Sequence, residues 1–276
     1  MVTYDRGATT SNGSGTSGAR WLRCWLPRPA ASLRLICLPH AGGGAATYRP
    51  WAGLLPPGIE LHAVQYPGRE DRFTDPMVDT MDELVAHIAD AVTPLTDPAD
   101  RRYALFGHSM GSAVAWELAH EMRRRGAPAP LRLCVSGRVA PTRARPGRVH
   151  LRDDDGLCAE LGRLGGTHSE VLADTDMRRA ILPCVRNDYR LIETHRPAAR
   201  DPLDCPVEIF TGDADPEFGP DQAGPWGELT TGGSRVHVFP GGHFYLGPAR
   251  RDVVRTLVAR LDPSLAHSAG PWPSTP

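Results

Sequence analysis

Five residues, Gly107-His108-Ser109-Met110-Gly111, constrain this chain more than any other stretch. An apolar run, Tyr103–Phe106, precedes them, and SAVAWELAHEM, with helical character, follows. A serine flanked by glycines between strand and helix predicts a sharp turn. The glycines leave room for it, and the serine hydroxyl rises above the sheet at a helix N-terminus, where developing negative charge is favoured. A backbone turned that tightly is strained, and such strain belongs to chemistry more than to packing.

The surrounding rhythm supports this placement. Apolar runs at Leu33–Leu38, Ile59–Val64, Tyr103–Phe106, Leu131–Ser136, Val207–Thr211 and Arg235–Phe239 predict strands, most of them buried on both faces. Helices are predicted over Thr80–Leu95, Ser109–Arg125 and Ala249–Leu261; in the last, Val253, Val254, Leu257, Val258 and Leu261 recur at helical spacing. Alternating strands and helices predict an α/β-hydrolase fold with a mostly parallel sheet. Residues 139–205 break the rhythm with helical patterns at Gly156–Leu164, Ser169–Leu172 and Asp176–Glu193 and no strand-like run, as a lid over a site would. The expected organisation is a disordered extension at 1–19, a core from 20–138 and 206–263, the insertion at 139–205, and a loose tail at 264–276.

A serine hydroxyl needs a base, and in this fold the partners follow in the order acid, then histidine. Downstream of Ser109 lie His120, His150, His168, His195, His237, His243 and His267. His120 falls inside the helix after the turn and His237 inside a strand. His243 falls in a Gly-Gly-His-Phe loop past the last strand, where an α/β sheet builds its site. The acid belongs at the end of the preceding strand, where VEIFTGDADPE offers Asp213, Asp215 and Glu217. Spacing favours Asp215, and the others then serve as turn residues. Two amides must hold the oxyanion. Met110, next to the nucleophile, supplies one; Ala41, in the glycine run after Leu33–Leu38, supplies the other.

Composition removes other chemistries. Every basic side chain is arginine, so a P-loop and a lysine Schiff base are excluded. A net charge of -1 carries no nucleic-acid footprint, and no run approaches a membrane span. The N-terminus lacks the apolar core of a secretory signal, and six scattered cysteines form no C-x-x-C pair, so a cytoplasmic protein without a metal site is expected.

PHAGGGAATY, VQYPGRE, FGHSMGS, RLGGT, VRNDYRLIE, TGDADP and GGHFYL, in that order over residues 20–262, resemble the stand-alone type II thioesterases of polyketide synthases and nonribosomal peptide synthetases. The resemblance implies Ser109 as nucleophile, Asp215 as acid, His243 as base, and Ala41 and Met110 at the oxyanion hole. It implies a mobile lid in the insertion. It also implies removal of stalled acyl groups from the phosphopantetheine arm of acyl or peptidyl carrier proteins, with no cofactor beyond that arm. Arg138, Arg143, Arg145, Arg148 and Arg152 could guide an acidic carrier protein, or could be a solvated charge run. Leu157, Leu161, Leu164, Val171, Leu172, Ile181 and Leu182 could line an acyl channel, or could pack helices together. Rival functions on the same scaffold are a general carboxylesterase or lipase, and an acyltransferase.

Overall fold

The computed structural model describes residues 20–96, 102–166 and 169–264, with the side chains of Ser169 and Val171 also left undescribed. The expected extension at 1–19, His168, His267, the side chain of Val171 and nearly all of the tail lie outside what is described.

Seven strands form one sheet in the order β1-β3-β2-β4-β5-β6-β7. They are β1 (Leu22–Arg23), β2 (Leu33–Leu38), β3 (Ile59–Val64), β4 (Arg102–His108), β5 (Leu133–Ser136), β6 (Val207–Gly212) and β7 (Ser234–Phe239). All pairings are parallel except β1 with β3. This is the α/β-hydrolase architecture expected. The two-residue β1 was not foreseen, because two residues carry no periodicity. The β4 strand extends beyond its predicted end and runs straight into Ser109. Strands β2, β3, β5 and β6 are buried along their whole length. The edge strand β7 is not, and its Val236 and Val238 are exposed.

Helices cover both faces. On one, α1 (Met81–Val92) and α2 (Met110–Arg124) bury Leu84, Ile88, Val114 and Leu118 against Ile36, Leu105 and Val135. On the other, α6 (Arg250–Leu261) buries Val253, Val254, Leu257, Val258 and Leu261 against Leu35, Phe106 and Phe210, the face its spacing predicted. Between β5 and β6 come α3 (Asp154–Leu164), α4 (Ser169–Ala173) and α5 (Thr175–Thr194). Asp153 caps α3 through the Gly156 amide at 2.8 Å, and Asp174 caps α5 through the amides of Asp176 and Met177, both at 2.9 Å. No described helix is long and apolar enough to cross a membrane.

The α2 helix buries His120 against Trp116, with ring centroids 4.3 Å apart. Arg123 donates to its Nδ1 at 3.1 Å, and its Nε2 is buried without a partner. Burial first, then the charges of Arg200 and Arg123, lower its pKa from 6.5 to about 4. The unfolded chain therefore binds more protons than the folded one between those values, and stability falls as pH drops through that window. Replacing His120 with Gln should flatten the dependence of unfolding free energy on pH between 6.5 and 4 by up to about one proton. Urea melts of both proteins across that range measure it; an unchanged slope contradicts the assignment.

Candidate active site

The turn after β4 holds Ser109 at φ 54°, ψ -117°, one of two non-glycine residues with positive φ among those described. Such a conformation costs about 1–3 kcal/mol and survives only where its surroundings enforce it. Here they do. A Cβ on Gly107 would lie 2.1 Å from the Gly111 carbonyl oxygen, and a Cβ on Gly111 would lie 2.0 Å from that of Leu38. The Ser109 amide donates to the Ser136 carbonyl at 2.8 Å, and the Ser112 hydroxyl donates to the carbonyls of Gly107 and Ser136 at 2.8 and 2.9 Å. Met110 opens α2, so its amide has no intrahelical acceptor.

Beyond β6 and β7, His243 and Asp215 meet. Nδ1 of His243 lies 3.0 and 2.9 Å from the two Asp215 oxygens, and both side chains are buried. The carboxylate accepts, so the proton belongs on Nδ1 and Nε2 carries the lone pair. Asp213, the rival acid, accepts instead from the Gly241 amide at 2.9 Å and staples the loop that carries His243. Glu217 pairs with Arg163. Asp215 also accepts from the Glu217 amide at 2.9 Å, which fixes its rotation.

Gly137 ties the two halves together. It follows Ser136, the residue that receives the Ser109 amide, and a Cβ on it would lie 3.2 Å from the His243 ring and 3.3 Å from Asp215 Oδ2. Among the described residues the His243 ring bonds only through Nδ1, so its Nε2 does not bond the Ser109 hydroxyl in this structure. Such bonds are commonly loose without substrate and tighten around the reacting carbonyl.

Two further histidines border the pair, and sequence reasoning gave neither a role. His108 lies 5.0 Å from His243 between ring centroids, and its Nδ1 bonds the Ser136 hydroxyl, which bonds Tyr245. Burial, then the neighbouring His243 and His40, push its pKa well below the ordinary value. His40 is held at about 3 by burial, His243 and Arg69. Both imidazoles stay neutral at neutral pH, so they add no positive charge beside His243. Phe244 stands edge-on to His243 and His40, 5.1 and 4.8 Å away, and Gly166 of the insertion packs on its ring.

The insertion has its own small core. Leu157, Leu161, Leu182, Cys184 and Val185 are buried together, with Leu172 and Ile181 partly buried against them. Helix packing therefore accounts for these residues of the supposed channel, while Leu164 stays outside the cluster. The arginine cluster divides. Arg138 is half-buried, its pKa lowered to about 10 by burial. Arg152 pairs with Glu160 at 3.0 Å. Arg143, Arg145 and Arg148 are exposed. His150 bonds Glu193 at 2.5 Å, His195 bonds Glu117 at 2.9 Å and His237 bonds Glu208 at 2.7 Å, which leaves those histidines in structural roles.

Cys24, Glu60 and His62 bring metal-type donors within 4.8 Å of one another. Glu60 there already accepts from His62 and the Arg28 amide and faces Arg34 at 3.3 Å, so protein groups neutralise it.

Residues 33–261 match the thioesterase domain family model. The chain belongs to the thioesterase domain family. It is 42% identical over 254 residues to the probable cadicidin biosynthesis thioesterase of Streptomyces griseus, covering 92% of this chain and 69% of that protein. It is 41% identical over 243 residues to the thioesterase PikA5 of Streptomyces venezuelae, covering 87% and 85%. The type II thioesterase BorB from the borrelidin biosynthetic cluster superposes with a TM-score of 0.80 at 40% identity, covering 88% of this chain and 98% of that structure. The chain is thus a hydrolase acting on thioesters, as the motifs led us to expect.

The tight packing of the turn makes a direct prediction. Gly111→Ala should lower stability by about 1–3 kcal/mol, because the added methyl meets backbone with no room to yield. Denaturant unfolding tests this, and a neutral effect would contradict the packing described.

Proposed function

We propose that this thioesterase is an editing enzyme of the type II class, one that frees carrier proteins of polyketide or peptide assembly lines from stalled acyl groups. The observation that carries the reading is the buried His243–Asp215 pair beside a serine on a strained strand-to-helix turn. The relatives named above support the choice of assembly line and carrier protein.

This reading entails two acyl transfers. Nε2 of His243 takes the Ser109 proton as the serine oxygen attacks the thioester carbonyl. Asp215 holds the ring in the required tautomer and stabilises the imidazolium that forms. The amides of Met110 and Ala41 receive the oxyanion. The carbon–sulfur bond breaks, the thiol of the carrier's arm leaves with the proton from His243, and an acyl-serine remains. Water, deprotonated by His243, attacks that ester; the carbon–oxygen bond to Ser109 breaks, the serine oxygen takes the proton back from His243, and the free acid departs. No resident cofactor enters, because the phosphopantetheine arm arrives as part of the substrate. Six unpaired thiols suit a reducing, cytoplasmic setting.

Ser109→Ala should abolish acyl release from an acyl-carrier protein and labelling by a fluorophosphonate. Turnover or labelling at the wild-type rate in that variant overturns the assignment. The wild-type enzyme should prefer acyl-carrier protein to a matched oxygen ester in kcat/KM; equal values, or an acyl group found on an added alcohol, favour an esterase or an acyltransferase. Arg143, Arg145 and Arg148 form the part of the arginine run best placed for docking. Reversing Arg143 and Arg145 to Glu should raise KM for acyl-carrier protein several-fold and leave a small acyl thioester unaffected; equal effects on both substrates argue against docking.

A further inference from the structure

The residues that hold the glycine loop in place lie far away in the sequence. Arg69 and Asp188 form a buried, two-pronged ion pair, Nη1 to Oδ2 at 2.5 Å and Nη2 to Oδ1 at 2.8 Å. Arg69 follows β3; Asp188 lies on α5 of the insertion. The same Asp188 Oδ2 accepts from the Gly42 amide at 2.7 Å, and the same Arg69 Nη1 donates to the Gly43 carbonyl at 3.2 Å. Val185, one turn earlier on α5, packs against Gly42, where a Cβ would lie 2.8 Å from its Cγ2. Asn187 donates to the Val78 carbonyl at 2.7 Å, and Arg190 pairs with Asp79.

These contacts clamp the Ala41–Gly42 and Gly43–Gly44 peptide groups of the loop. The His40 carbonyl accepts from the Gly43 amide at 3.0 Å. All described peptide bonds are trans, so N–H and C=O of one peptide point opposite ways, and the Ala41 N–H points away from that turn. The ion pair fixes the next peptide through Gly42 N–H and the one at Gly43 through its carbonyl. The Ala41 amide is thereby aimed without itself being bonded to the clamp.

The geometry points to Arg69 and Asp188 as positioning residues for the oxyanion hole, through which α5 acts as a fixed strut between the insertion and the glycine loop. This rests on the proposed role of Ala41. It also latches α5 of the insertion to the core.

The test uses variants that keep both charges, Arg69→Lys and Asp188→Glu, because removing one partner leaves an unpaired buried charge. Lysine cannot span both Asp188 oxygens, and glutamate displaces the carboxylate along the loop. Each folded variant should be labelled at Ser109 by a fluorophosphonate about a hundredfold more slowly than wild type. The kcat for a small acyl thioester should fall alike, with KM within about twofold. Folded variants with wild-type labelling rates, or a raised KM with kcat unchanged, overturn the proposal. Absence of labelling in the wild type instead overturns the serine-hydrolase reading. If neither variant folds, amide hydrogen exchange on wild type decides: Gly42 should exchange slowly and Ala41 fast, and equally fast exchange at both overturns the clamp.

Discussion

One close approach organises the site: Gly111, at the start of α2, lies directly against the Leu38 carbonyl at the end of β2. Strands β2 and β4 are hydrogen-bonded neighbours, and β4 delivers Ser109 while β2 delivers the loop with Ala41. Bringing the helix hard against the neighbouring strand end therefore sets the distance between Ser109 and the loop in a single contact. A side chain at 111 would separate them. The strain stored at Ser109 is sustained by the same contact and by the Ser136 hydrogen bonds below it.

Electrostatics then assigns the parts. Three imidazoles crowd together, yet His108 and His40 are kept neutral by burial first and by the nearby His243, with Arg69 adding to the effect on His40 and His40 to that on His108. The single carboxylate bonded to an imidazole in this trio is Asp215, on His243. Positive charge can thus gather on one ring. The buried charge nearby, Arg69 with Asp188, is spent within its own pair and on the backbone of the glycine loop.

Much of this was legible beforehand, for physical reasons. Continuous apolar runs report strands buried on both faces, so β2, β3 and β6 stood out, and 3.6-residue periodicity exposed α6. Ser109 was legible because a tight turn demands glycines at fixed offsets, and His243 because it sits in a loop past a strand. Asp213 and Asp215 could be ranked only by spacing; the hydrogen bonds that separate them depend on loop geometry. Arg69 and Asp188 were visible only within motifs, since a charge's burial partner 119 residues away leaves no local signal. The two-residue β1 was too short to announce itself, and the apolar residues of the insertion admitted two readings until their shared core was placed.

The contact between Gly166 and Phe244 gives the insertion leverage over His243. A Cβ at 166 would come within 2.1 Å of the Phe244 ring, and that ring faces His243, His40 and His108 at 5.1, 4.8 and 5.6 Å. One added methyl there must move either the loop after α3 or the aromatic plate resting on three imidazoles. The size of a residue with no functional group of its own thus becomes a mechanical setting on where the His243 ring stands, reached through a phenyl ring.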